Sequence, residues 1–230
     1  MTTFADRIIS FNNNLHFKGR LPKGIKVMNP FKGSPGILPV VKKFYKSFYD
    51  DNKRRHLILG INPGRFGAGA TGIPFSDTKR LNDFCGITVD GLKTHELSSV
   101  FVYEIIKAYG GVKKFYSDFY ITSVCPLGFT RKNEIGKEVN YNYYDTKELQ
   151  EAAHNFIIEN LYKQIKIGVS TDVCFIMGTG KNAKYLQKVN SEENFFRKII
   201  PLEHPRFIMQ YRLRKQDEYI KKYLDNLLNL

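Results

Sequence analysis

Two side chains that could do chemistry follow short apolar runs of the sequence: Asn62, in an Asn-Pro-Gly turn, and His204, directly before a proline. An asparagine amide can orient a water molecule, but it cannot accept a proton at neutral pH. A histidine can donate a hydrogen bond to an oxygen that gathers negative charge during a reaction. The glycines between Gly64 and Gly72 would let the backbone approach a ligand closely. These residues predict a ligand site, in which an amide could orient water and a histidine could donate a hydrogen bond.

The elements that must position these residues are short strands. Four runs rich in β-branched or aromatic residues predict them, at 56–61, 119–124, 173–177 and 199–202. Helical patterns separate the runs and close the chain, at 96–109, 146–167, 181–189 and 215–228. The alternation predicts an α/β fold with three layers, α/β/α, around a central, mostly parallel four-stranded sheet.

Each predicted strand is followed by a polar turn, and the carboxyl ends of parallel strands lie at one edge of a sheet. We therefore expect the four turns to converge on one rim. Pro201, inside the fourth run, favours an edge strand or a bulge, because proline cannot donate to a neighbouring strand.

The length of 230 residues favours a single domain that spans residues 1–230. Residues 1–50 are interpreted as an N-terminal helical decoration. Helices are predicted at 2–15 and 38–49, with an irregular connection over 21–39 that is rich in glycine and proline.

Composition restricts the possible partners and cofactors. Lys and Arg outnumber Asp and Glu by 36 to 22, for a net charge of +14. Such an excess favours nucleic acid as a partner, although a soluble basic protein without such a partner would have the same composition. Three widely spaced cysteines are expected to be free thiols in a reducing cytoplasm. The histidines lack metal-ligand spacing, and no apolar run is long enough for a membrane span, so we expect no metal, no cofactor and no membrane partner.

The segment from Gly60 to Phe75 (GINPGRFGAGATGIPF) resembles the first active-site motif of single-strand-selective monofunctional uracil-DNA glycosylases. Cys125-Pro126-Leu127 is similar to the turn after the second strand of that family, and His204-Pro205 to its second catalytic motif. The resemblance points to bacterial relatives of the family and leaves much of the sequence between the motifs uncovered. It implies a monofunctional DNA glycosylase of base excision repair that acts on DNA, is located in the cytoplasm at the nucleoid, and works as a monomer.

The resemblance also implies roles for residues of this sequence. Asn62 would position the attacking water, and His204 would donate a hydrogen bond to the carbonyl of the leaving base. Gly64 and Phe66 would contact the flipped base. Phe75 would stack on it.

The residue at the end of the second predicted strand differs from the one that the family has there. Where the family has an asparagine that reads the edge of uracil, this sequence has Ser123. A hydroxyl is shorter than an amide and rotates freely, so strict selectivity for uracil is in doubt. We expect xanthine and hypoxanthine as further substrates, with Ser123 as a base-binding residue.

Arginines and apolar side chains follow the second motif, and their combination suits phosphate clamping and insertion into the base stack. The DNA-binding residues are predicted to be Arg65, Arg206, Phe207, Gln210 and Arg212. Which of them enters the stack, and whether the DNA is single- or double-stranded, stays open.

Two other interpretations stay open. Gly178-Thr179-Gly180-Lys181 precedes a predicted helix and has some likeness to a nucleotide-phosphate loop, but it lacks the full spacing of such loops. The chain could also be a DNA-binding module that kept the fold and lost the chemistry.

Overall fold

A computed structural model describes residues 1–33 and 36–230. Ser34 and Pro35, which belong to the connection predicted over 21–39, lie outside the described residues. The described strands are β1 (Ile25–Met28), β2 (Arg55–Gly60), β3 (Phe119–Ser123), β4 (Gly128–Lys132), β5 (Glu138–Tyr141), β6 (Val169–Met177) and β7 (Lys198–Leu202). The described helices are α1 (Phe4–Asn13), α2 (Pro30–Gly33), α3 (Ile37–Phe48), α4 (Ala68–Thr71), α5 (Thr78–Cys85), α6 (Leu97–Tyr109), α7 (Val112–Asp118), α8 (Lys147–Lys166), α9 (Lys181–Glu193), α10 (Pro205–Tyr211) and α11 (Gln216–Leu228).

The central sheet has the strand order β3-β2-β6-β7, and all of its strands are parallel. All five residues of β3 and five of the six in β2 are buried, so helices cover both faces of the sheet. The predicted α/β class with a parallel four-stranded sheet is confirmed. β7, which contains Pro201, is an edge strand, in agreement with the expectation from that proline.

A second, antiparallel sheet was not predicted. Its strand order is β1-β4-β5, and β4 and β5 form a hairpin in which Thr130 pairs with Asn140. The irregular connection expected over 21–39 is therefore wrong in part, because β1, α2 and the start of α3 lie within it. These strands have four or five residues and are partly exposed, so they lack the continuous apolar run that predicted the central sheet.

The N-terminal helices share the hydrophobic core of the sheet. Phe4 and Ile8 of α1 and Phe44 of α3 are buried in the same cluster as Leu57 and Tyr120 of the sheet. No helix of the described residues is long and apolar enough to cross a bilayer.

Candidate active site

The carboxyl ends of three strands of the central sheet, β2, β3 and β7, meet at one cavity of about 190 Å³. Asn62 enters from the turn after β2, Ser123 ends β3, and His204 follows β7. The whole lining consists of Ile61, Asn62, Pro63, Gly64, Ala68, Pro74, Phe75, Glu96, Ser98, Ser123, Asn140, Asn142, His204 and Arg206.

The fourth turn lies at the same edge of the sheet, but Gly178-Thr179-Gly180 is not part of the cavity lining. Asn182, just after it, is buried and joins two strand ends by donating hydrogen bonds to the backbone oxygens of Met177 and Gly60, at 3.0 and 3.4 Å. The Asn182 amide that follows this segment therefore holds two strand ends of the central sheet together.

Backbone groups of the β5–α8 connection orient the Asn62 amide. Its Oδ1 accepts a hydrogen bond from the backbone N–H of Tyr143 at 3.1 Å, and its Nδ2 donates to the carbonyl of Tyr141 at 3.3 Å. Tyr143 is itself fixed, because its hydroxyl donates to Oδ1 of Asn182 at 2.8 Å. Among the described residues no second donor reaches this oxygen, so one lone pair remains for a water molecule and the amide can orient it.

The N-terminus of α10 sets the tautomer of His204. The residue caps this helix, and its Nδ1 accepts the backbone N–H of Arg206 at 3.1 Å. Because Nδ1 is an acceptor, the proton of the neutral ring is on Nε2. Burial, together with the positive charge of Arg206, lowers the pKa of His204 to about 4. At neutral pH the ring is therefore an uncharged hydrogen-bond donor through Nε2.

Phe75 lies beside His204, with ring centroids 5.9 Å apart. Its φ of 51° is in the left-handed region, which costs a non-glycine residue about 1–2 kcal/mol. Gly60, at the end of β2, makes room for the ring, since a Cβ there would lie 2.9 Å from its Cε2. The left-handed backbone of Phe75 and the absence of a side chain at Gly60 together allow the aromatic ring to lie at the cavity wall.

Ser123 lies in the cavity wall and is 6% exposed. It pairs with Gly60 across the two central strands. Among the described residues its hydroxyl has no hydrogen-bond partner, whereas its carbonyl accepts from Nε2 of Gln164 at 3.4 Å. The hydroxyl is thus free to meet a ligand as donor or acceptor.

The other predicted site residues divide between cavity and surface. Gly64 lines the cavity, whereas Phe66 does not: it is 52% exposed, and the guanidinium of Arg65 lies over its ring. The structure thus does not bring Phe66 to the other predicted base-binding residues. Arg65 is tied to the β4–β5 hairpin, because its backbone N–H donates to Oδ1 of Asn140 at 2.9 Å.

The predicted DNA-binding residues after the second motif lie on or next to α10. Arg206 reaches the cavity, while Phe207, Gln210 and Arg212 are exposed. The Arg212 guanidinium lies 5.5 Å from the centroid of the Phe207 ring, and Tyr211 packs beside that ring. An apolar and cationic surface therefore borders the cavity.

Four polar residues of the cavity were missed by sequence reasoning: Glu96, Ser98, Asn140 and Asn142. Glu96 follows a long connection, and no strand-end signal marks it. The two asparagines could have been found from the alternation of polar and apolar residues over Glu138–Tyr143, which is typical of a half-buried strand.

Within residues 1–33 and 36–230, no group of three or more His, Cys, Asp or Glu side chains is arranged to hold a metal ion. The polar groups available to a ligand in the cavity are amides, hydroxyls, one imidazole, one carboxyl group and the guanidinium of Arg206. They can orient water and donate or accept hydrogen bonds at a base-sized ligand.

Comparison with known proteins defines the class. The family model of the uracil DNA glycosylase superfamily matches residues 46–228, and the chain belongs to this superfamily. It is therefore a DNA glycosylase, an enzyme that acts on DNA and hydrolyses N-glycosidic bonds.

A particular relative defines the branch. The chain is 55% identical to SMUG2 of Pedobacter heparinus, whose crystal structure it matches with a TM-score of 0.96 over 98% of this chain and 97% of that chain. This similarity confirms the expected single-strand-selective monofunctional branch. No curated protein matches the chain.

Proposed function

We propose that this glycosylase flips uracil, and other deaminated bases beside it, into the cavity and removes them by hydrolysis without cutting the strand. The observation that carries the proposal is the meeting of Asn62, Phe75 and His204 at one cavity next to Ser123. All of these residues come from one chain, which is compatible with activity as a monomer.

The proposed reaction assigns one task to each of three side chains. Phe75 stacks on the flipped base, and such stacking contributes about 1–3 kcal/mol per base. His204 donates from Nε2 to the carbonyl oxygen that becomes negative as the C1′–N bond breaks. Asn62 holds water toward C1′ through the free lone pair of its Oδ1. The electron pair of the broken bond leaves with the base, the oxygen of water bonds to C1′, and one proton of that water ends on the departing base or in solvent.

The proposed breadth of substrates comes from Ser123. A buried amide pairs its donor and acceptor with the edge of one base. When a base with a different edge binds, one of these groups stays unpaired, and the cost in free energy excludes that base. A serine hydroxyl rotates to donate or accept, and its short side chain leaves room for a purine or a water. Xanthine and hypoxanthine are therefore proposed substrates beside uracil.

Ser123→Asn should narrow the substrate range. We expect the ratio of the uracil rate to the xanthine or hypoxanthine rate to rise by about 5- to 30-fold, equivalent to one hydrogen bond of about 1–2 kcal/mol. The measurement is the single-turnover rate on oligonucleotides that each carry one of the three bases.

Ser47→Asn is the matched control, since Ser47 is exposed on α3 and does not line the cavity. It should leave all three rates unchanged. A wild-type enzyme strictly specific for uracil, together with unchanged selectivity in Ser123→Asn, would exclude Ser123 as the selector.

The exposed surface next to the cavity is proposed to hold the DNA. Arg206 and Arg212 would contact phosphates, and Phe207 or Gln210 would fill the space that the flipped base leaves in the stack. Arg65, which belongs to the first motif, would add a further positive charge.

DNA affinity should fall steeply with salt, because each phosphate contact releases a counterion. Arg206→Ala and Arg212→Ala should each reduce the slope of log Kd against log salt by up to about one unit. Fluorescence anisotropy with a labelled oligonucleotide measures this slope. Arg54→Ala, exposed at the start of β2 and so at the opposite end of the sheet, is the control. Unchanged slopes in both α10-side variants would place the DNA elsewhere.

A further inference from the structure

The carboxyl group of Glu96 lies in the cavity and has no role in the reaction proposed above. It lies directly before α6 and lines the same cavity as Asn62 and His204. Its oxygens face the glycine turn of the first motif: a Cβ at Gly64 would lie 3.1 Å from Oε1, and a Cβ at Gly67 would overlap the carboxyl group. The glycines therefore leave the space that the carboxyl group occupies beside the Asn62 turn.

A buried network fixes the backbone of Glu96. Asp77 is fully buried, and its Oδ2 accepts the backbone N–H of Glu96 at 2.8 Å and the hydroxyl of Ser99 at 2.7 Å. Its Oδ1 accepts the backbone N–H of Arg80 at 2.9 Å. Among the described residues, by contrast, the Glu96 side chain has no hydrogen-bond partner. The chain thus holds this residue firmly while its carboxyl group stays available.

The surroundings of Glu96 favour a proton acceptor that works near neutral pH. Burial raises the pKa of Glu96 to about 7; the negative charge of Asp77 acts in the same direction, and Arg206 opposes it. The charged and titratable groups around it are Asp77 and Arg80 at the start of α5, the neighbouring His95, and His204 and Arg206 at the start of α10. A general base is most effective when its pKa is close to the working pH.

Attack of water at C1′ releases a proton, and the Asn62 amide cannot take up that proton. We propose that Glu96 is the general base of the reaction and takes a proton from the water that Asn62 orients. As the oxygen of this water bonds to C1′, one of its protons passes to the carboxylate and the electron pair of the C1′–N bond leaves with the base. The protonated carboxyl group then returns its proton to the departing base or to solvent. This inference depends on the proposed excision activity.

The test is the pH dependence of single-turnover uracil release between pH 5.5 and 9, for the wild type and Glu96→Gln. The wild-type rate should rise about tenfold per pH unit below pH 7 and level off above it. Glu96→Gln, which keeps the shape but cannot take the proton, should be slower by about 10²-fold at pH 8 and nearly independent of pH. His204 does not contribute a step in this range, because its pKa is about 4.

Glu134→Gln, which removes an exposed carboxylate from the β4–β5 turn, should keep the wild-type profile. Thermal unfolding and affinity for product DNA show whether Glu96→Gln is folded; if it is not, Glu96→Asp should be slower yet keep the rise with pH. A folded Glu96→Gln with the wild-type rate and profile would overturn the proposal, as would a wild-type rate that falls with rising pH or a pH-independent Glu96→Asp. A wild type that releases no base at any pH would instead contradict the proposed function itself.

Discussion

His204→Ala should lower the single-turnover rate of uracil release by about 10²- to 10³-fold, with DNA affinity largely kept. The variant removes the Nε2–H that we propose donates to the developing negative charge on the base, and loss of one preorganised donor of this kind typically has an effect of that size. The donor is preorganised because Nδ1 is already occupied by the backbone N–H of Arg206. The rate is measured with enzyme in excess over a labelled oligonucleotide, and affinity is measured with an abasic product.

Substitution of a second histidine is the control that distinguishes the proposed role of His204 from a general structural effect. His154 is also partly buried, but its ring contacts the hydroxyl of Tyr185 at 2.9 Å, away from the cavity. His154→Ala should keep the wild-type rate on uracil. Equal rates for His204→Ala and the wild type would remove His204 from the reaction.

Asn62→Ala should also lower the single-turnover rate by about two to three orders of magnitude. The variant removes the amide that we propose orients water, and with it the hydrogen bonds to the backbone of Tyr141 and Tyr143. Since the loss affects the chemical step, binding of product DNA should change little. The measurement is again single turnover at saturating enzyme, with affinity determined separately.

Two variants give the controls. Asn226→Ala removes an exposed amide of α11 and should leave the rate unchanged. Tyr143→Phe keeps the backbone N–H that holds Asn62 but removes the hydroxyl bond to Asn182, so it should reduce the rate less than Asn62→Ala. An Asn62→Ala enzyme with nearly normal turnover would show that the role implied by the resemblance does not apply to this chain.

Most of the central sheet could be predicted because β2, β3 and the second half of β6 are buried and appear as continuous apolar runs. The predicted boundaries were less accurate where a strand contains polar residues. β6 begins at Val169, four residues before the predicted start, and its first half was missed because Ser170 and Asp172 interrupt the apolar run. The antiparallel sheet was missed because short, half-exposed strands have no such run.

The candidate site divides in a similar way. Asn62 and His204 lie in the turns that follow β2 and β7, so the topology of a parallel sheet was sufficient to bring them together. Glu96 comes from the start of a helix after a long connection, and only the fold brings it to the glycine turn of the first motif. Asn140 depends on the hairpin that sequence reasoning did not find.

The most direct test of the account is release of free uracil from DNA by the wild-type chain in the presence of a chelator. An oligonucleotide with one uracil should yield free base and an abasic site, with the strand cut only after alkali, and borohydride should trap no covalent adduct. This outcome follows from hydrolysis by water held at Asn62, with no metal and no lysine nucleophile in the reaction. A failure to release uracil, inhibition by the chelator, or a trapped enzyme–DNA adduct would contradict it.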